Sequence, residues 1–260
     1  PPQIQRMAIL LYMGGILLLI LTPLMGVEIK GARRWLNWGG FSMQPSEFIK
    51  PILTVLVAWM LAEKKENSDF KGYTATFLLY GITVGLLLLQ PDMGMVVLIT
   101  AVILTQLFLA GLPLVWIISA IITGLTGLVG AYFTFSHVQK RINGFLDSSI
   151  GDKYSDRYQV NQSLEAFTNG GVWGRGPGEG TVKTHLPDAH ADFIFAVAGE
   201  EFGMLFCILI VVLFAFIVLR SIFRLFDEES LFRLLAVAGL TVQLGTQALI
   251  NMASAVNLIP

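Results

Sequence analysis

Apolar residues run in long, nearly uninterrupted blocks along this chain, and polar residues fall between the blocks rather than alternating within them. Seven blocks are legible: Met7–Met25, Pro45–Leu61, Thr74–Leu89, Met93–Ala110, Leu112–Phe135, Phe193–Phe223 and Leu231–Asn251. Runs of this length without period-two alternation predict helices rather than strands. About 18 consecutive apolar residues signal a membrane span, and in lipid only helices or closed barrels satisfy every backbone polar group. The pattern predicts an all-α protein, a polytopic transmembrane helical bundle. Phe193–Phe223 is longer than one crossing requires.

Composition agrees with the pattern. The chain is 55% hydrophobic and 13% charged, with a mean hydropathy of +0.70, whereas a soluble domain carries about 25% charged residues. A net charge of -1 gives no footing for nucleic-acid binding. The single cysteine, Cys207, lies inside an apolar block, so it reads as a small core residue and can form no internal disulfide. The chain opens without an initiator methionine, a charged n-region or a cleavage site, and it stops at Pro260 directly after an apolar block. It therefore reads as an internal fragment, one membrane domain over residues 1–260 truncated at both ends.

Letting the blocks alternate across the bilayer sorts the loops. One side receives Arg6, Lys64, Lys65, Lys71, Arg220, Arg224 and Arg233; the short loops of the other hold Lys30, Arg33 and Arg34. Short loops rich in Lys and Arg stay in the cytoplasm. The second side is therefore external, and it holds "KGARRWLNWGGFSMQPSEFIK", "QPDMG" and the long loop 136–191. Within that loop Val160, Leu164 and Phe167 recur at helical spacing before Gly170–Gly171, which predicts an amphipathic helix over Tyr158–Thr168, either lying on the membrane surface or packed on the bundle.

Ionisable groups beside such blocks are the candidates for chemistry. In "QPSEFIKP", Pro45 suits a first helical turn, Glu47 and Lys50 share a face three residues apart, and Pro51 removes the N–H that would bond the Glu47 carbonyl. A charged wall of a substrate cavity and an ion pair that docks one helix on another both fit. Asp92 opens the fourth block, where an N-cap alone would explain it. "GGVWGRGPGEG" lacks the strand–turn–helix setting of a nucleotide loop, though its backbone could approach a phosphate group. His137, His185 and His190 show no metal-ligand spacing. Asp192 stands at the external lip of the sixth block, beside His190, and Glu200 and Glu201 lie about 12–13 Å further along the same helix at ~1.5 Å per residue. Carboxylates in a membrane helix mark functional paths by default.

Three stretches, "GARRWLNWGGFSMQPSEFIK", "QPDMG" and "HLPDAHADFIFAVAGEEFG", together resemble the SEDS family (shape, elongation, division and sporulation) in the family's order and across essentially the whole chain. "LPDAHADFIFAVAGEEFG" and "GRGPGEG" are closer to the family's division member than to its elongation member, and Ala191 stands where Thr is common. The resemblance implies about ten helices in the complete protein, of which this chain would lack the first two and the last. It implies a peptidoglycan glycosyltransferase that polymerises lipid II at the outer face of the bacterial cytoplasmic membrane, working at the septum with a class B penicillin-binding protein and other division proteins. Asp192 then matches the family's catalytic aspartate. Glu47 and Lys50 match the Glu and Lys of its Pro-Ser-Glu motif, Asp92 the Asp of its Gln-Pro-Asp motif, and Arg34 and Trp35 its Arg-Trp pair.

The chemistry is consistent with that assignment. Lipid II carries its sugar on a diphosphate, so the leaving group is already activated and no nucleotide site is needed. The acceptor 4-hydroxyl needs a base, which Asp192 would supply. The departing diphosphate needs positive charge, which Lys50, Arg34, Arg157, Arg175 or a divalent cation (Mg2+ or Mn2+) held by carboxylates such as Asp92 and Asp192 could supply. His190 and Glu200 are read as further cavity residues. Two other classes stay open: a lipid II flippase, kept alive by Glu200 and Glu201, and a non-catalytic scaffold of the division machinery.

Overall fold

The computed structural model describes residues 2–29, 32–38, 41–134, 138–139, 143, 156–184, 186, 189 and 193–258. Among them run helices α1 (Pro2–Met25), α2 (Pro45–Glu66), α3 (Gly72–Leu89), α4 (Met93–Leu109), α5 (Leu114–Thr134), α6 (Asp156–Gly170), α7 (Ile194–Leu225) and α8 (Leu231–Ala255). Six of these are long and apolar enough to cross a membrane, and the seventh apolar helix, α4, is slightly shorter. Each of the seven apolar blocks is thus a helix. The chain is a multi-span membrane protein.

The fold divides into two compact units. The first comprises Pro1–Ile117 with Val218–Leu244, and the second Ile118–Ile217 with Gly245–Pro260. In the first unit α2 is the central helix: 61% of its most apolar window is buried, against 28% for α1 and 22% for α3. It packs against α1, α3 and α4 through a core that includes Leu19, Ile49, Leu53, Val57, Leu87 and Leu107. The outward faces of α1 and α3 expose Leu, Ile, Phe and Met. In water that would be a liability; in lipid there is no penalty, so packing and interhelical hydrogen bonds hold the helices together instead.

One such bond set is built on Gln106 of α4, which is fully buried. Its amide Nε2 donates to the Thr54 carbonyl of α2 at 2.8 Å and to the Leu235 carbonyl of α8 at 3.1 Å. Gly239 lets α8 approach, because a Cβ there would lie 2.6 Å from both Gln106 Nε2 and the Thr54 methyl. Tyr12 performs a similar role between α1 and α3, its hydroxyl 2.9 Å from that of Thr83. At the far end of α2, Lys64 and Lys65 occupy the last turn, where positive charge suits the helix dipole.

A short antiparallel sheet departs from the all-helical pattern. Strands β1 (Val27–Ile29), β2 (Ala32–Trp38) and β3 (Phe41–Met43) follow α1 in the order β1-β2-β3. Val27 pairs with Trp35 and Ile29 with Ala32, while Leu36 pairs with Met43 and Trp38 with Phe41. The signal was present: two strand-compatible runs separated by Gly39–Gly40 form a hairpin pattern. The sheet rests on α1 and α2 and joins the end of one to the start of the other.

In the second unit, α6 covers and extends the expected amphipathic helix, and its face packs with Val182, Leu186, Phe193, Ala196 and Ala255. Ser163 of α6 donates to the Ala255 carbonyl at 2.6 Å.

Candidate active site

Two groups of polar residues are built, one in each unit. In the first unit the sheet, the start of α2 and the α3–α4 turn converge on Asp92. Asp92 caps α4 by accepting from the Met95 N–H at 3.4 Å, as a residue of its type does at that position. The same carboxylate accepts from Gln44 Nε2 at 3.4 Å and lies 3.9 Å from the Arg34 guanidinium. Arg34, on β2, also donates from Nε to the Gln90 carbonyl at 3.2 Å and from its other nitrogen to the Pro91 carbonyl. Gln90 is the C-cap of α3 and Pro91 follows it, so the arginine satisfies an orphan acceptor at the helix end and meets the negative end of the helix dipole. Trp35, the next residue, is half-buried.

Gln44 is also the N-cap of α2, with Pro45 opening the helix. One turn on, Glu47 and Lys50 form the expected pair, Nζ to Oε2 at 2.7 Å. The pair is lopsided: the Lys50 side chain is 1% exposed and that of Glu47 40%. A buried ammonium is held by a carboxylate that reaches solvent or head groups. Ser46, between Pro45 and Glu47, is buried, and its hydroxyl has no hydrogen-bond partner among the described residues.

In the second unit the site is a broken helix with a loop laid into it. Gly203 has φ 81 and ψ 177, which interrupts α7. The break strands backbone groups on both sides, and the glycine-rich segment after α6 takes them up. Met204 and Leu205 N–H groups donate to the carbonyls of Gly171 and Val172 at 3.0 and 3.4 Å, and Arg175 and Gly176 N–H groups donate to the carbonyls of Glu200 and Glu201 at 3.0 and 2.9 Å. Irregular backbone is tolerated in a membrane helix only where neighbouring protein re-satisfies it. Glycine is required at the contact, since a Cβ on Gly203, Gly174 or Gly170 would collide with facing backbone.

Side chains finish the join. Glu200 is fully buried, and its carboxylate accepts from the N–H groups of Thr181, Val182 and Lys183 at 2.8, 2.9 and 3.2 Å. These donors begin a 3-10 turn, Val182–Thr184. Glu201 is ion-paired with Lys183. The two glutamates read from the sequence as a path are thus directed at the loop. Glu200→Ala is expected to leave the buried Val182 N–H without its acceptor, at a cost on the order of 1–3 kcal/mol, and to loosen the loop at Thr181 and Lys183, whose N–H groups lie nearer the surface. A lowered melting temperature in detergent and new protease cleavage within residues 176–184 would register it; an unchanged loop would show that the carboxylate is dispensable.

Arg175 is exposed, with Nε donating to the Asn169 carbonyl at 3.2 Å and another nitrogen 3.3 Å from the Thr181 hydroxyl. Arg157 belongs to α6, but its side chain, like His190 and Asp192, lies outside the described residues. Phe193 is described and buried, and its carbonyl accepts from the Ala196 and Val197 N–H groups, so Phe193 is the residue from which α7 starts at Ile194. Among the described residues no group of three or more His, Cys, Asp or Glu side chains is placed to hold a metal.

The family model for the cell cycle proteins FtsW, RodA and SpoVE matches residues 1–260. The chain belongs to this family. Among its FtsW/RodA/SpoVE relatives, a protein of Caulobacter vibrioides named "Probable peptidoglycan glycosyltransferase FtsW" is 45% identical over all of this chain and 66% of its own length. One of the same name from Geobacter sp. strain M18 is 36% identical over 98% of this chain and 71% of its own. The chain thus spans about two thirds of the length of these curated relatives. Among solved structures, a chain from a study of how a peptidoglycan synthase complex coordinates polymerization and crosslinking superposes with a TM-score of 0.77 at 25% identity, covering all of this chain and 73% of that one. The rod-shape-determining protein RodA of Thermus thermophilus superposes at 0.61, also at 25% identity, over 97% of this chain and 67% of its own. The SEDS resemblance read from the three motifs and the helical membrane architecture are both borne out.

Proposed function

We propose that this chain is the greater part of a peptidoglycan glycosyltransferase that polymerises lipid II at the outer face of the cytoplasmic membrane, in septal wall synthesis. The observation that carries the proposal is the match over the whole chain to relatives named as peptidoglycan glycosyltransferases, at up to 45% identity. In the reaction the acceptor 4-hydroxyl attacks the anomeric carbon, the bond to the diphosphate breaks, and Asp192 takes the hydroxyl proton. Positive charge must meet the leaving diphosphate. Arg175 offers an exposed guanidinium on the loop that leads toward Asp192, while Arg34 and Lys50 carry charge already balanced in part by Asp92 and Glu47. An apolar cleft of about 450 Å³, lined by Phe195, Phe202, Phe206, Phe214 and Met252 among others, begins two residues after Asp192 and would suit a prenyl chain. A class B penicillin-binding protein is the proposed partner that cross-links the product.

Incubating purified full-length protein and partner with labelled lipid II tests the assignment, and glycan polymer is the expected product. A flippase would give none, and a scaffold would tolerate charge changes in the cavity. The glutamates that favoured transport have their carboxylates occupied by the loop. Orientation is tested separately. A cysteine at Asn67, beside Lys64 and Lys65, should resist an impermeant thiol reagent in intact cells, and one at Glu179 should react. The reverse pattern would overturn the outward placement of the site.

A further inference from the structure

The break in α7 sits at a definite level of the membrane. From Met204 to Leu219 the helix carries no charged or strongly polar residue; Glu200 and Glu201 precede this run and Arg220 and Arg224 follow it. At ~1.5 Å per residue those 16 positions span about 24 Å, and Arg220, at the end of the run, can extend its stem a further few ångströms (roughly 5) to the interface. A hydrocarbon core of about 30 Å takes roughly 20 residues. With the guanidinium of Arg220, at the end of its stem, on the cytoplasmic boundary, Gly203 falls near the outer one. The first turns of α7, with both glutamates, then stand among the head groups rather than in hydrocarbon, where a carboxylate is costly.

The loop docked at Gly203 is fixed at that same level. Its backbone is held by the four hydrogen bonds across the break, yet Trp173, at the centre of the contact, is 82% exposed, and Val172 beside it 46%. A rigid backbone presenting an indole outward is costly in water. Next to it the surface is continuous with the lipid-facing side of α7, where Met204, Leu205, Ile208 and Leu209 are all about half exposed. Tryptophan is favoured at the membrane–water boundary, because its ring is apolar and its N–H needs a polar partner.

We infer that Trp173 is a membrane anchor: its indole inserts among the lipid head groups at the outer boundary and holds the glycine-rich loop on the bilayer surface. The occupant of this surface is lipid, and the inference stands apart from the catalytic assignment. It ties the strap from Gly170 to Thr184, and with it Arg175, to the plane of the head groups.

The test compares wild type and Trp173→Phe, reconstituted as full-length protein in phosphatidylglycerol-containing vesicles. The emission lost on substitution is that of Trp173. In lipids brominated near the head group this difference component should lose most of its intensity, more than in lipids brominated near the chain ends, and aqueous iodide should leave it intact. Quenching by iodide without a bromine effect would place the loop in water. Insensitivity to both would mean a protein partner covers it, and stronger quenching near the chain ends would place the break deep in the bilayer. Each result overturns the inference. If the Phe variant does not insert, Val172→Cys carrying a nitroxide gives the same reading through its relative accessibility to oxygen and a water-soluble nickel chelate.

Discussion

Asp192→Asn should abolish glycan synthesis while leaving the protein in the membrane and bound to its partner. Asn is nearly isosteric with Asp and keeps a polar group at that position, so insertion and folding should change little. An amide accepts no proton near neutral pH, so the acceptor hydroxyl loses its base, and polymerisation of labelled lipid II should fall by at least ~10²-fold. The effect belongs to chemistry rather than to folding, and unchanged expression and partner binding in the same preparation would show that. Polymerisation at near wild-type rate would remove Asp192 as the base. Asp92 would be the next carboxylate to test, although its oxygens already serve Met95, Gln44 and Arg34.

The second large effect is expected at the Glu47–Lys50 pair, and it should be unequal. Lys50 is the buried partner, and Glu47 reaches the surface. Glu47→Ala removes the carboxylate 2.7 Å from a buried ammonium, and losing one partner of a buried pair costs about 3 kcal/mol or more. Lys50→Met replaces the ammonium with an apolar chain of similar length and leaves Glu47 partly solvated, so its cost should be clearly smaller. Thermal unfolding of both variants in detergent measures the difference. Exchanging the charges, Glu47→Lys with Lys50→Glu, should recover more folded protein than either reversal alone. An exchange that folds no better than the single reversals would show that the two charges do not act as a pair. Activity need not return with the fold, because a cavity wall requires each charge in its original place.

The depth of the glutamates connects these expectations to the way the protein is built. Counted along α7 from Asp192, Glu200 and Glu201 lie inward, which made them look like stations on a path. Their carboxylates are instead committed to the loop that enters the break at Gly203. A residue's distance along a helix says how far it is from the end, but not which neighbour its side chain meets.

What the sequence determined by itself was whatever depends on near neighbours in the chain. The seven apolar helices follow from uninterrupted hydrophobic blocks, because in lipid a run without period-two alternation satisfies its backbone polar groups only as a helix. The Glu47–Lys50 pair follows from a three-residue spacing on a helix, and the cap at Asp92 from residue type and position. The hairpin signal around Gly39–Gly40 is equally local, and the paired runs flank it. Only the tertiary structure decided the rest. Arg34 meets Asp92 from 58 positions away, and Glu200 holds the N–H groups of Thr181 to Lys183 across 17 to 19. Gly203 breaks a helix whose residues are among the most apolar of the chain, because a loop from another part of the fold supplies the hydrogen bonds that the break gives up. Contacts of that kind are set by which helices pack together, and no spacing along the chain encodes them.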